Sequence, residues 1–136
     1  MNPKKSRDCF GLELELLESD KLSSRITQIR HLGAALPDMQ ATQAKAEQLC
    51  QRLSYLEDEL RLVELDDVRE AAVLRSVEPE RQAQYIDYYE VEVQRQGQTQ
   101  IQRIRYNRHK NDKENLDFIL SERLLERLGK DLQGLG

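Results

Sequence analysis

Chemistry on a protein needs a nucleophile beside a base, a paired acid and base, or a cluster of metal ligands. Few residues of this chain qualify. It has two cysteines, Cys9 and Cys50, and two histidines, His31 and His109. A Cys–His dyad such as Cys50 with His31 could make an activated thiolate, because an imidazole can take the thiol proton. The plainer reading is a surface histidine and a cysteine flanking a helical seam. The four side chains match a zinc ligand count, but structural zinc sites draw on close-spaced pairs and these four are scattered. Glu57, Asp58, Glu59, Glu64, Asp66 and Asp67 form an acidic stretch. It lacks the glycine and the alternating spacing of a calcium loop, and reads as a solvated helix face. There is no Gly-rich phosphate loop, HExxH or GxSxG motif. The expectation is a protein that is not an enzyme and uses no cofactor and no metal.

The run RIRYNRHKNDK, residues 103–113, is the most suggestive stretch. Arg103, Arg105, Arg108, Lys110 and Lys113 stand against Asp112, with Tyr106 inside the run. Guanidinium groups beside an aromatic ring suit phosphate contact and base stacking. The competing reading pairs Arg103 with Glu90 and the other cations with acidic protein surface. The tyrosines at Tyr85, Tyr88 and Tyr89 add a second candidate surface, since tyrosine offers apolar area with a polar tip. Tyr89 is expected to point into the core and Tyr88 outward. The candidate partner-binding residues are therefore Tyr88, Arg105, Arg108 and Lys110.

Composition favours protein partners over nucleic acid. The net charge is −4, and proteins that coat nucleic acid or anionic membrane usually read basic. Charged residues make up 34% against 38% hydrophobic, with aromatics at 5%, which suits helices with narrow apolar stripes. No apolar run is long enough to span a bilayer. The glutamates in GLELELLESD rule out a signal peptide there, and two distant cysteines fit a reducing cytoplasm.

The elements that would position these groups read as mostly helical. Residues 1–10 form a flexible basic tail with Lys4, Lys5 and Arg7, followed by a single domain over 11–136. A first helix is expected from about Gly11 to Leu36, with acids near its start and Leu22, Ile26, Ile29, Gly33 and Leu36 at spacings of three and four. Pro37 ends it and Asp38 caps the next. Ala46, Leu49, Leu53, Leu56, Leu60 and Val63 fall on heptad positions, and the small residues Gly33, Ala34, Ala35, Ala41 and Ala44 would let two backbones meet at the turn. An antiparallel, coiled-coil-like helical hairpin follows. Asp67 with Glu70 fits a capping box for a short helix over Val68 to Val77, ended by Glu78-Pro79, so that hairpin and short helix fill 11–77.

Residues 84–106 read as a β-hairpin turning at Gln96-Gly97, with Glu90 opposite Arg103, Tyr89 opposite Ile104 and Tyr88 opposite Arg105. Asn111 with Glu114 would cap a C-terminal amphipathic helix over 112–133. Its leucine row, Leu116, Leu120, Leu124 and Leu128, is the candidate oligomer interface. The fold class expected is thus α+β, predominantly α. The function expected is a non-enzymatic adaptor or assembly protein, cytoplasmic, acting through helix-mediated self-association as a homodimer and through contacts with other proteins, with no membrane partner. The alternative is nucleic-acid binding through the loop at 103–113.

Overall fold

A computed structural model describes residues 5–56, 59–76, 80–81 and 84–134. Glu57 and Asp58 of the acidic stretch, Lys4 of the basic tail, Val77 and the Glu78-Pro79 stop lie outside the described residues. The chain runs β1 (Lys5–Cys9), β2 (Leu12–Ser19), β3 (Ser23–Leu32), α1 (Met39–Arg52), β4 (Leu60–Asp66), β5 (Ala71–Ser76), β6 (Glu80–Arg81), β7 (Tyr85–Gln94), β8 (Gln98–Asn107), β9 (Asp112–Leu116), β10 (Phe118–Ser121) and α2 (Glu122–Gln133). The strands pair antiparallel in one sheet of order β1-β2-β3-β8-β7-β5-β4, with β6 added on β7. β9 and β10 bridge a split in that order. β9 pairs with β8, β10 pairs with β3, and β3 and β8 pair with each other only over Ile29–Leu32 and Gln98–Ile101. Both helices pack against the sheet and touch each other.

This corrects the expected fold class. The protein is mostly antiparallel β-sheet with two helices, and it has no coiled coil and no helical hairpin over 11–77 among the described residues. Lys5–Cys9, expected as tail, pairs with β2. The reasons are local. Leu12, Leu14 and Leu16 alternate with acids and are 1%, 2% and 3% exposed, the period-two signature of a half-buried strand. The apparent helical spacing of Ile26 and Ile29 comes from a β-bulge. Glu15 faces Gln28 while Leu16 faces Ile26, so Thr27 is an extra residue that shifts the alternation by one. Its hydroxyl donates to the Glu15 carbonyl at 3.0 Å. Before the bulge Ser24 and Ile26 point inward; after it Ile29 and His31 do.

The heptad run also divides. Asp38 caps α1, its carboxylate accepting from the Ala41 N–H at 2.8 Å, and Thr42, Lys45, Ala46 and Leu49 form the buried stripe. Leu53 closes the helix, Leu56 lies in the loop beyond, and Leu60 opens β4. The apolar residues are buried, but on three kinds of backbone. The short helix expected over 68–77 is β5. There Ala71, Ala72, Val73 and Leu74 are all buried, and a strand covered on both faces loses its alternation. The side chain that caps is Asp66, which accepts from the Val68 and Arg69 N–H groups to form a turn into β5.

The β7–β8 hairpin forms where expected, one residue out of register. Tyr89 faces Arg103, Tyr88 faces Ile104 and Glu90 faces Gln102. The turn holds three residues, not two, and ends on Gly97 at φ +112, a conformation that other residues rarely adopt. That single slip moves Ile104 to the face opposite Tyr89.

The C-terminal helix is half the expected length. Its first ten positions are β9 and β10, and Asn111, at φ +54, sits in a turn instead of capping. α2 begins at Ser121, whose hydroxyl accepts from the Leu124 N–H. Its buried stripe is Leu125, Leu128, Gly129 and Leu132. Gly129 is required: a Cβ there would lie 2.3 Å from the Phe10 carbonyl oxygen in the β1–β2 turn.

Candidate functional site

A cleft of about 640 Å3 opens between the loop after β3, one face of α1 and the end of α2, within the size range of small-molecule sites. Each wall follows from local sequence. The bulge at Thr27 turns His31 inward at the end of β3. Beyond it Gly33 donates to the Gly97 carbonyl at 2.9 Å and Leu36 to the Arg95 carbonyl at 2.7 Å, which ties the 33–38 loop to the β7–β8 turn. Asp38 then starts α1, which presents Ala41, Ala44 and Lys45 to the cleft, and Leu132 of α2 closes the third side. Ala34, Ala35, Ala41 and Ala44 do not pack helix on helix; their short side chains leave the space open.

The polar groups at the floor are unusual. Lys45 is 8% exposed and His31 7%. Both flank Gly33: the position of a Cβ on that glycine is 3.6 Å from Lys45 Nζ and 3.7 Å from His31 Cε1. Among the described residues no carboxylate pairs with Lys45, and burial holds its pKa below the ordinary lysine value. Burial, then the Lys45 charge, lowers the pKa of His31 below the ordinary histidine value. Its Nδ1 is buried without a hydrogen-bond partner among the described residues, and so is the hydroxyl of Thr99, which faces His31 across β3 and β8. Buried polar atoms in native proteins are nearly always paired, so these two neighbouring orphans, closed off from the cleft, are a cost that the fold carries beside the Lys45 ammonium.

The residues singled out from sequence are distributed elsewhere. Cys50 is half-buried on α1 and does not line the cleft with His31. Arg105 is held by Asp87: its Nε and Nη2 donate to the two carboxylate oxygens at 2.9 Å each. The guanidinium of Arg103 lies 5.1 Å from the Tyr89 ring centre, and the one facing Glu90 is Arg75, at 3.0 Å. Arg108 and Lys110 are exposed in the β8–β9 turn, whose shape comes from the Asn107 side chain accepting two backbone N–H groups. Tyr88 and Tyr89 are both 7% exposed, so Tyr88 does not stand out as a free tip. Tyr88 faces Ile104 while Asp87 faces Arg105, so Tyr88 and Arg105 project from opposite faces and do not meet in one surface. Leu116 ends β9, Leu120 is buried on β10, Leu124 is half-buried on α2 and Leu128 is fully buried. The row does not line one helix face, and Leu120 and Leu128 are spent on the chain's own core.

Sequence reasoning missed Lys45. Its signal was its place three residues after Thr42 and four before Leu49, on the buried stripe of α1, where a lysine needs a reason. Comparison of the chain with protein families, with curated proteins and with solved structures finds no match. Among the described residues no helix is long and apolar enough to cross a membrane.

Proposed function

We propose that this chain is a non-enzymatic binding protein of the cytoplasm that holds a small amphipathic molecule in the cleft between the 33–38 loop, α1 and α2. The observation that carries it is the cleft itself: apolar walls of small side chains over a floor with a few convergent polar groups. Its lining includes no carboxylate, thiol or hydroxyl that could serve as partner to His31 in nucleophilic catalysis. The free thiols Cys9 and Cys50 fit a reducing compartment. Thermal-shift screening with a set of amphiphiles tests the reading. Ligands should raise the melting temperature of the wild type and leave an Ala41→Phe variant, with its cleft filled, unmoved. Equal shifts in both would place the binding elsewhere.

Association with a second copy is the other function that a specific observation favours. β4 ends the described strand order, and Val63, Leu65 and Val68 are 47%, 42% and 95% exposed. Two β4 edges paired antiparallel about Leu62 and Val63 would set each Arg61 opposite the partner copy's Glu64, an attractive cross-strand pair. Light scattering should then give a dimer mass that Glu64→Arg, by opposing like charges, reduces to that of a monomer. A wild type monomeric at high micromolar concentration ends this route.

A further inference from the structure

We propose that the cleft takes a carboxylate-bearing amphiphile, an alkanoate with its head group on Lys45 and its chain along Leu36 and Leu132. This rests on the ligand-binding reading above and names the chemistry of its ligand. The cleft divides into two parts. Leu36, Leu132 and the alanines of the loop and α1 give apolar walls. The floor holds the ammonium of Lys45, a residue 8% exposed that lines the cleft and has no counter-charge among the described residues. A buried unpaired charge is costly, and protein folds keep one where a partner arrives from outside. The missing partner is therefore an anion, and its tail must be apolar to cover the walls.

The count of charges narrows the anion. Lys45 is the one lysine or arginine in the cleft lining, and a carboxylate balances its single charge. A phosphate monoester would bring nearly two negative charges to one ammonium in an apolar cleft. The geometry supplies the ammonium as the head-group contact. A carboxylate there accepts a charge-assisted hydrogen bond from Lys45, while the buried Nδ1 of His31 is out of its reach. Lys45 Nζ and His31 Cε1 lie near the same point, 3.6 Å and 3.7 Å from where a Cβ on Gly33 would stand, so the absence of that side chain leaves room beside the ammonium.

Calorimetric titration of the intact chain with decanoate, decanol, decylammonium and decyl phosphate separates the possibilities. Decanoate should bind about tenfold or more tighter than decanol, the effect of a charge-assisted hydrogen bond, and decylammonium should bind weakest. Lys45→Met should bring decanoate down to the level of decanol while decanol still binds, and that retained binding reports that the variant is folded. Lys45→Arg should keep the preference for decanoate. Decanol binding as tightly as decanoate to the wild type, or decyl phosphate binding tighter than both, would overturn the carboxylate assignment and leave the cleft as a ligand site. Binding of none of the four would sink the cleft reading itself.

Discussion

His31 and Thr99 stand directly opposite one another on β3 and β8, and neither the Nδ1 of one nor the hydroxyl of the other has a hydrogen-bond partner among the described residues. A hydroxyl buried without a partner costs stability that an apolar side chain of the same shape does not. Thr99→Val should therefore leave the unliganded protein as stable as before or stabilise it by roughly 0.5–1 kcal/mol, valine being well suited to a strand. Urea denaturation checks it. A loss above about 1 kcal/mol would mean that the hydroxyl has a partner in solution.

Lys45 is expected to trade stability for binding. Replacing its buried ammonium with the unbranched apolar side chain of methionine removes an uncompensated charge, so Lys45→Met should raise stability by about 1 kcal/mol. The thermal midpoint should rise, while the shift produced by decanoate in the wild type should shrink. A destabilised variant would show that Lys45 has an acidic partner.

Two titrations should separate in the acid limb of stability. Facing His31 are the Lys45 ammonium from α1, the uncharged Thr99 from β8 and the apolar Leu132 from α2. Burial and Lys45 hold its pKa below the ordinary value of about 6.5. The unfolded chain thus takes up the proton first, and stability falls as pH drops from about 6.5 to the folded value, then levels. Asp87 has its pKa lowered by the Arg105 hydrogen bonds, against the opposing effect of burial. Its contribution is full above the unfolded carboxylate value of about 3.9 and is lost as pH falls through the lower folded one. In a melting-temperature profile against pH, His31→Asn should flatten the upper step and Asp87→Asn the lower. A profile unchanged by both substitutions would contradict the assignments.

The sheet and helices share one core, which makes large-to-small changes costly on any element. Leu53 and Leu128, each 0% exposed, should lose about 2–5 kcal/mol on truncation to alanine. Val68→Ala, at a residue 95% exposed, should stay within about 0.5 kcal/mol of wild type. Similar losses at all three would contradict the burial pattern.

The inward residues were more legible in the sequence than the backbone that carries them. Leu49, Leu53, Leu56 and Leu60 are buried as the heptad spacing implies, yet helix, helix end, loop and strand each supply one. Spacing alone cannot separate a stripe that continues from one that changes backbone. Thr27 hid β3 by turning a spacing of two into three, and Ala71–Leu74 hid β5 by being covered on both faces. Tyr85–Gln94 was legible because β-branched and aromatic residues dominate it, and Gln98–Asn107 because a glycine turn joins it to that strand and its β-branched residues alternate with glutamines at the start. The cleft was not legible. Its walls are the small residues that the sequence assigns to a close helix–helix turn, and its floor joins residue 31 to residue 45 through a fold that had to be known first.

The bridging run of β9 and β10 has a consequence for synthesis. β3 emerges early and pairs with β2, but its other edge is filled only by β8 and β10, with Leu32 meeting Gln98 and Ser23 meeting Ser121. A nascent chain therefore carries an open β3 edge until residues 98–121 have emerged from the ribosome. Such distant pairings put this chain among high-contact-order folds, which close slowly and expose their edges to neighbours meanwhile. Emergence of Phe118–Ser121, not the hairpins already formed, sets the moment at which the β3 edge can be closed.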